Sequence, residues 1–84
     1  MSVTLYVGNI SYSMKEDELK NAFSKFGQVV SVKIITDKRT GRSKGYGFVE
    51  MDDEAAANDA INNLNGKELA GRNVKVNKAN TQAE

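Results

Sequence analysis

The side chains best placed to do chemistry in this chain are aromatic and cationic, and their spacing is that of an extended strand. In Lys44-Gly45-Tyr46-Gly47-Phe48-Val49-Glu50-Met51, Lys44, Tyr46 and Phe48 recur at every second residue, so a strand would project all three from one side. Tyr6 alternates in the same way with Leu5 and Val7. Such a set offers no bond-making chemistry. It offers flat π surfaces, on each of which a nucleic-acid base stacks for about 1–3 kcal/mol, beside ammonium groups that can meet phosphates.

Composition closes most other routes. Among 84 residues there is no Cys, His, Trp or Pro. Without Cys and His the chain cannot build a structural zinc site, a thiol nucleophile, a haem or iron–sulfur ligand set, or a Ser-His-Asp triad. No metal or cofactor is therefore expected. Disulfides are excluded, which agrees with a reducing compartment. No apolar run approaches the roughly 18 residues of a membrane span, and the opening residues lack the basic start and apolar stretch of a signal peptide. A cytoplasmic location, or a nuclear one in a eukaryote, is the expectation. Gly45 and Gly47 invite comparison with a phosphate-binding loop, but position 50 is Glu and no Gly-Lys-Ser/Thr follows. The acidic groups Glu16-Asp17-Glu18 and Asp52-Asp53-Glu54 stand where helices are predicted to begin. There negative charge suits the helix dipole, so capping explains them better than catalysis.

The formal charge is only +1, which by itself argues weakly against a polyanionic partner. Its distribution argues the other way. Lys33, Lys38, Arg39, Arg42 and Lys44 stand against Asp37 alone in residues 33–44, and residues 72–78 add Arg72, Lys75 and Lys78 without an acid. Residues 50–59 contain Glu50, Asp52, Asp53, Glu54 and Asp59 without a base. The pattern is a basic rim with an acidic back.

The elements that must position these groups follow from changes in hydrophobic period. Residues 4–8 are a short β-rich run stopped at Asn9. Ser13 and Glu16 have capping-box spacing, Leu19, Ala22, Phe23 and Phe26 fall on one helical face, and Gly27 follows at a C-cap position. Val30, Val32 and Ile34 alternate with Ser31, Lys33 and Ile35 in a second strand, and a polar loop over residues 37–44 leads to the third. Asp52-Asp53 opens a second helix with Ala57, Ala60, Ile61 and Leu64 on its apolar face, closed by Asn65-Gly66. Val74 and Val76 alternate with Asn73, Lys75 and Asn77 in a last strand after a turn at Gly71. The order β-α-β-β-α-β predicts one α+β domain over residues 1–79, with a short polar end at residues 80–84. Its architecture is ferredoxin-like: a four-stranded antiparallel sheet with two helices on one face.

Two helices cover only one face of such a sheet. Leu5, Val7, Val30, Val32, Ile34, Gly47, Val49, Met51, Val74 and Val76 are expected on the covered side. Tyr6, Lys33, Ile35, Tyr46, Phe48, Glu50, Asn73, Lys75 and Asn77 are expected on the open one. Three aromatics together on an open face, rimmed by charge, mark an interaction site. Bases of a single strand have free π-faces that suit it.

The octamer Lys44–Met51 matches the octamer signature of the RNA recognition motif family at all but its last position, where Met51 replaces an aromatic residue on the core side. Leu5-Tyr6-Val7-Gly8-Asn9-Ile10 resembles the companion hexamer on the first strand, with Ile10 for the commoner Leu, and the chain looks most like the small single-domain bacterial members. The resemblance implies single-stranded RNA as partner of a non-catalytic module; stacking platforms accept single-stranded DNA as well, and nothing in the sequence points beyond a monomer. The resemblance implies that Tyr6 and Tyr46 stack on successive bases, that Phe48 packs on a sugar or a third base, and that Lys44 meets a phosphate. Lys78 and Ala79 continue the last strand, where the family uses main-chain groups to read a base. Lys33, Lys75 and Asn77 are placed beside the rings by alternation alone, and Arg42 belongs to the basic loop. Glu50 is an acceptor suited to a base with an exposed amino group. Tyr12 either lines the platform edge or packs within its loop.

Two other function classes are compatible with such a sheet. A protein-docking module on the same sheet face is expected to lose the exposed rings or to gain a covering helix. A small acyl-phosphate hydrolase needs an Arg in the first loop, and Asn9-Ile10-Ser11-Tyr12-Ser13 has none.

Overall fold

The computed structural model describes residues 2–79; the polar end predicted at residues 80–84 lies outside the described residues. Strands β1 (Val3–Gly8), β2 (Val29–Thr36), β3 (Ser43–Met51) and β6 (Lys75–Lys78) form one antiparallel sheet in the order β2-β3-β1-β6. Helices α1 (Glu16–Ser24) and α2 (Glu54–Leu64) follow β1 and β3 in the chain. The two strands that bear the aromatics are therefore the central pair, as the predicted architecture requires.

Alternation decides what each face shows. Leu5, Val7, Val49, Met51 and Val76 are fully buried and join Leu19 and Phe23 of α1 and Ala57 and Ala60 of α2 in a single core. The alanine stripe of α2 keeps its approach to the neighbouring backbone short. A Cβ on Gly27 would run into the Cβ of Ala56, so the residue predicted as the α1 cap instead serves a close packing contact. Asp53 caps α2 as expected, its Oδ1 accepting the Ala56 N–H at 2.7 Å.

The α1 cap departs from expectation. Ser13 bonds the Ser11 hydroxyl at 2.9 Å, a local partner that competes with capping, and Lys15 occupies the cap position. Glu18 Oε1 accepts the Lys15 N–H at 2.9 Å. Glu16 is thereby free to accept the Ile34 N–H at 3.1 Å, fastening the start of α1 to β2.

Two further corrections concern strands. Val30 was expected on the covered face and is 50% exposed. Between Val29 and Ser31, β2 holds one residue more than the facing Met51–Glu50 step of β3, and this bulge gives the inward place to Val29. The last predicted strand is divided. Short strands β4 (Glu68–Leu69) and β5 (Arg72–Asn73) form a separate hairpin turned by Ala70 and Gly71, both at positive φ. Asn73 thus lies in that hairpin and not on the main sheet. Val74, fully buried, follows β5 and leads into β6, and its N–H extends the hairpin ladder to Lys67 O at 2.9 Å. No helix among the described residues is long and apolar enough to cross a membrane.

Candidate nucleic-acid interface

The sheet register lays the open-face side chains out in rows. Lys33 faces Phe48, Phe48 faces Tyr6, and Tyr6 faces Asn77, so one row crosses all four strands as cation, ring, ring, amide. The next row holds Tyr46, Gly8 and Lys75. On the other side lie Ser31, Glu50 and Thr4. Lys33, Lys75 and Asn77 are exposed, and the three rings are half-buried among one another.

The rings form one cluster. Tyr6 lies 6.0 Å from both Tyr46 and Phe48, and Tyr46 lies 6.4 Å from Phe48, between centroids. The Phe48 ring meets Tyr6 and Tyr46 edge-on, at 65° and 89°, whereas Tyr6 and Tyr46 differ by only 34° and present similar faces. Pairs of this kind are worth about 0.5–1.5 kcal/mol beyond area burial. That offsets part of the cost of leaving aromatic surface in water and assembles the platform before any ligand arrives.

Two glycines shape it. Tyr6 leans over Gly8, where a Cβ would lie 2.5 Å from the Tyr6 hydroxyl. Gly8→Ala is expected to tip the Tyr6 ring off its seat and weaken oligonucleotide binding about fivefold, a loss near the low end of one stacking contact. Titration by fluorescence anisotropy, with the amide spectrum as control for the fold, tests this, and an unchanged affinity would show that the ring does not depend on Gly8. At Gly47 a Cβ would strike the Lys33 carbonyl oxygen of β2. The missing side chain lets β2 close on β3 and brings Lys33 beside Phe48.

The remaining expected residues are distributed unevenly. Lys44 and Arg42, both exposed, stand at the β2–β3 loop end of the platform and line one open concavity with Tyr46 and Tyr12. Glu50 is not a free acceptor. Its Oε2 receives the Ser2 hydroxyl at 2.5 Å and its Oε1 the Ser31 hydroxyl at 3.2 Å, which leaves each oxygen one further acceptor direction. Lys78 turns its side chain to the helix side, where Nζ meets Glu54 Oε2 at 2.8 Å. That hydrogen bond, and then the charge of Lys78, holds the Glu54 carboxyl below its ordinary value. Lys78 therefore brings only its main chain to the sheet, and its ammonium does not belong to the open face.

Arg72, one of the charges of the basic rim, stands beside the candidate site. Its Nη2 donates to Asn9 Oδ1 at 2.6 Å, and its guanidinium lies over the Tyr12 ring, 6.0 Å from the centroid. At an exposed site such a cation–π contact is worth about 0.5–1 kcal/mol. Asn9, at φ +57, donates its Nδ2 to Asn73 O at 2.7 Å. The β4–β5 hairpin is thus latched to the β1–α1 loop. Tyr12 is 69% exposed, so it is not packed within its loop, and it lines a concavity that also includes Tyr6 and Tyr46. Only the positive charge of Arg72 was visible in sequence, because its partners lie some sixty residues away.

Comparison with known proteins agrees with this geometry. The signature of the RNA recognition motif matches residues 5–75. The putative RNA-binding protein RbpE of Nostoc sp. is 49% identical over 82 residues, covering 98% of this chain and 83% of its own length. The crystal structure of RNA Binding Protein PG1 superposes with a TM-score of 0.91 at 43% identity, over 98% of this chain and 99% of that one. The structure of the Rna15 RRM with bound RNA (GU) gives 0.82 at 36% identity, over 92% and 82%. The chain spans about half the length of several plant relatives that it also matches, some of them named as mitochondrial. All these names are those of binding proteins. The octamer on β3, the hexamer on β1 and the four-stranded sheet that sets them side by side agree with a signature match across most of the domain, and the chain belongs to the RNA recognition motif family.

Proposed function

We propose that this domain binds single-stranded RNA, and also single-stranded DNA, on the open face of its sheet, as a monomer and without catalysis. The observation that supports this most directly is the ring cluster of Tyr6, Tyr46 and Phe48 with Lys33, Lys44 and Lys75 around it. Ring centroids 6.0–6.4 Å apart are wider than the roughly 3.4 Å rise of stacked bases. Bases on neighbouring rings must therefore be splayed, which a single strand permits and a duplex resists. Tyr6 and Tyr46, with similar ring planes, suit two successive bases, and Phe48 suits a sugar or a third base. Asn77 and the second acceptor directions of Glu50 suit base edges, and the main chain of Lys78 can join them at the strand edge. Among the described residues no helix covers this face, as a protein-docking variant would be expected to show.

Titrating isotope-labelled protein with short RNA and DNA pools tests the proposal. Amide shifts centred on Tyr6, Lys33, Tyr46, Phe48 and Asn77 are expected, and shifts confined to α1 and α2 would overturn it. Three phosphate contacts imply a slope of log affinity against log salt of about −2, at roughly −0.7 per phosphate on a single strand. A slope near zero would remove the basic rim from the account. Cell fractionation would decide between the cytoplasmic location suggested by the sequence and the mitochondrial one carried in some relatives' names.

A further inference from the structure

Beyond the rings of the sheet, one concavity of about 510 Å³ joins the platform to the β1–α1 loop. Tyr6 and Tyr46 line its sheet side, Tyr12 its far side, and Lys44, Arg72 and Lys75 stand around it. Its volume is within the roughly 300–1,000 Å³ of small-ligand sites, and no acidic residue lines it. Its far wall is built and not incidental. Tyr12 holds an exposed ring under the Arg72 guanidinium, and Arg72 is fixed in turn by Asn9, which bonds the hairpin backbone with its other amide atom. Arg72 therefore gives up less side-chain freedom when it meets an anion than a free surface arginine does.

We propose that this concavity is an additional nucleotide subsite, off the sheet, in which a base of the bound strand stacks on Tyr12 and an adjoining phosphate is held by Arg72 with Lys44 or Lys75. The inference rests on the single-strand reading of the sheet and extends its footprint by one nucleotide toward the β1–α1 loop. Continuity of the lining with Tyr6 and Tyr46, and an all-positive set of charges, favour the same strand over a separate ligand. Asn9 is a positioning residue here, acting through Arg72.

The test uses the whole chain and fluorescein-labelled oligouridylates of increasing length, from three to eight nucleotides, at fixed salt. For the unaltered protein, affinity is expected to rise until the last subsite is filled and then level off. Tyr12→Ala is expected to level off one nucleotide earlier, with about tenfold weaker binding of the longer oligomers and unchanged binding of the shortest. Tyr12→Phe retains the ring and is expected to keep the full length dependence, whereas Arg72→Lys, which keeps the charge but loses the guanidinium's bond to Asn9 and its place over the Tyr12 ring, keeps it only in part. Equal length dependence in Tyr12→Ala and the unaltered protein would overturn the subsite while leaving the sheet platform standing. So would an equal loss at every length, which would place Tyr12 on the platform itself. Failure of the unaltered protein to bind any of these oligomers would overturn the platform and the subsite together.

Discussion

Phe48→Ala is expected to weaken binding of a short single-stranded RNA by about 1–3 kcal/mol, roughly 5- to 150-fold, while the protein stays folded. The ring is on the open face, half-buried only by Tyr6, Tyr46 and its strand neighbours, so its removal opens no cavity in the core. The folding cost is limited to ring–ring contacts, about 0.5–1.5 kcal/mol per pair. Tyr46→Ala is expected to behave alike. Losses from Tyr6→Ala and Phe48→Ala in one chain should not add, because the two rings touch and each holds the other in place. Calorimetric titration of the two single variants and the double variant decides the matter. Unchanged affinity in Phe48→Ala and Tyr46→Ala would remove stacking from the mechanism.

Phe23→Ala reverses that pattern. Phe23 is fully buried between α1 and the sheet, the largest of the completely buried side chains. Truncating such a residue costs about 3–5 kcal/mol, in part through the cavity left behind. A domain of this size has a total stability of about 4–13 kcal/mol. The melting temperature is therefore expected to fall by roughly 12–40 °C, at about 4–8 °C per kcal/mol. Affinity measured well below the lowered midpoint should be unchanged, since no atom of Phe23 reaches the open face. A melting temperature within a few degrees of the unaltered protein would show that α1 is not anchored through this ring.

The contrast between these variants tracks what was legible in the sequence. Alternation in residues 4–8 and 46–51 assigned each side chain a face, because two central strands paired on both sides have little freedom to slip. The family signature, the central pair of strands and the ring cluster all followed. The misplacement of Val30 has a simple cause: Val29 and Val30 fit an inward place equally well, and only the bulge opposite Met51 and Glu50 chooses between them. The β4–β5 hairpin was missed because strands of two residues have no period to detect. The cap at Ser13 failed since Ser11 offered its hydroxyl a nearer partner. Lys78 looked like a member of the basic rim until the parity of Val74, Val76 and Lys78 set its side chain beside Glu54. Arg72 and Tyr12 meet only through tertiary structure, and no local pattern announces a contact between a turn and a loop so far apart in the chain.

The rows that cross the sheet also define how the domain could be re-engineered. Positions 31, 33 and 77 are exposed on the outward face, so they can be randomised as a library for new base preferences at little cost to the fold. Positions 8 and 47 must be held constant, since any side chain at the first takes the seat of the Tyr6 ring and any at the second wedges β2 away from β3. A library that spares those two glycines should yield folded members at high frequency and vary chiefly in what they bind. One that includes position 47 should lose most of its members before selection begins.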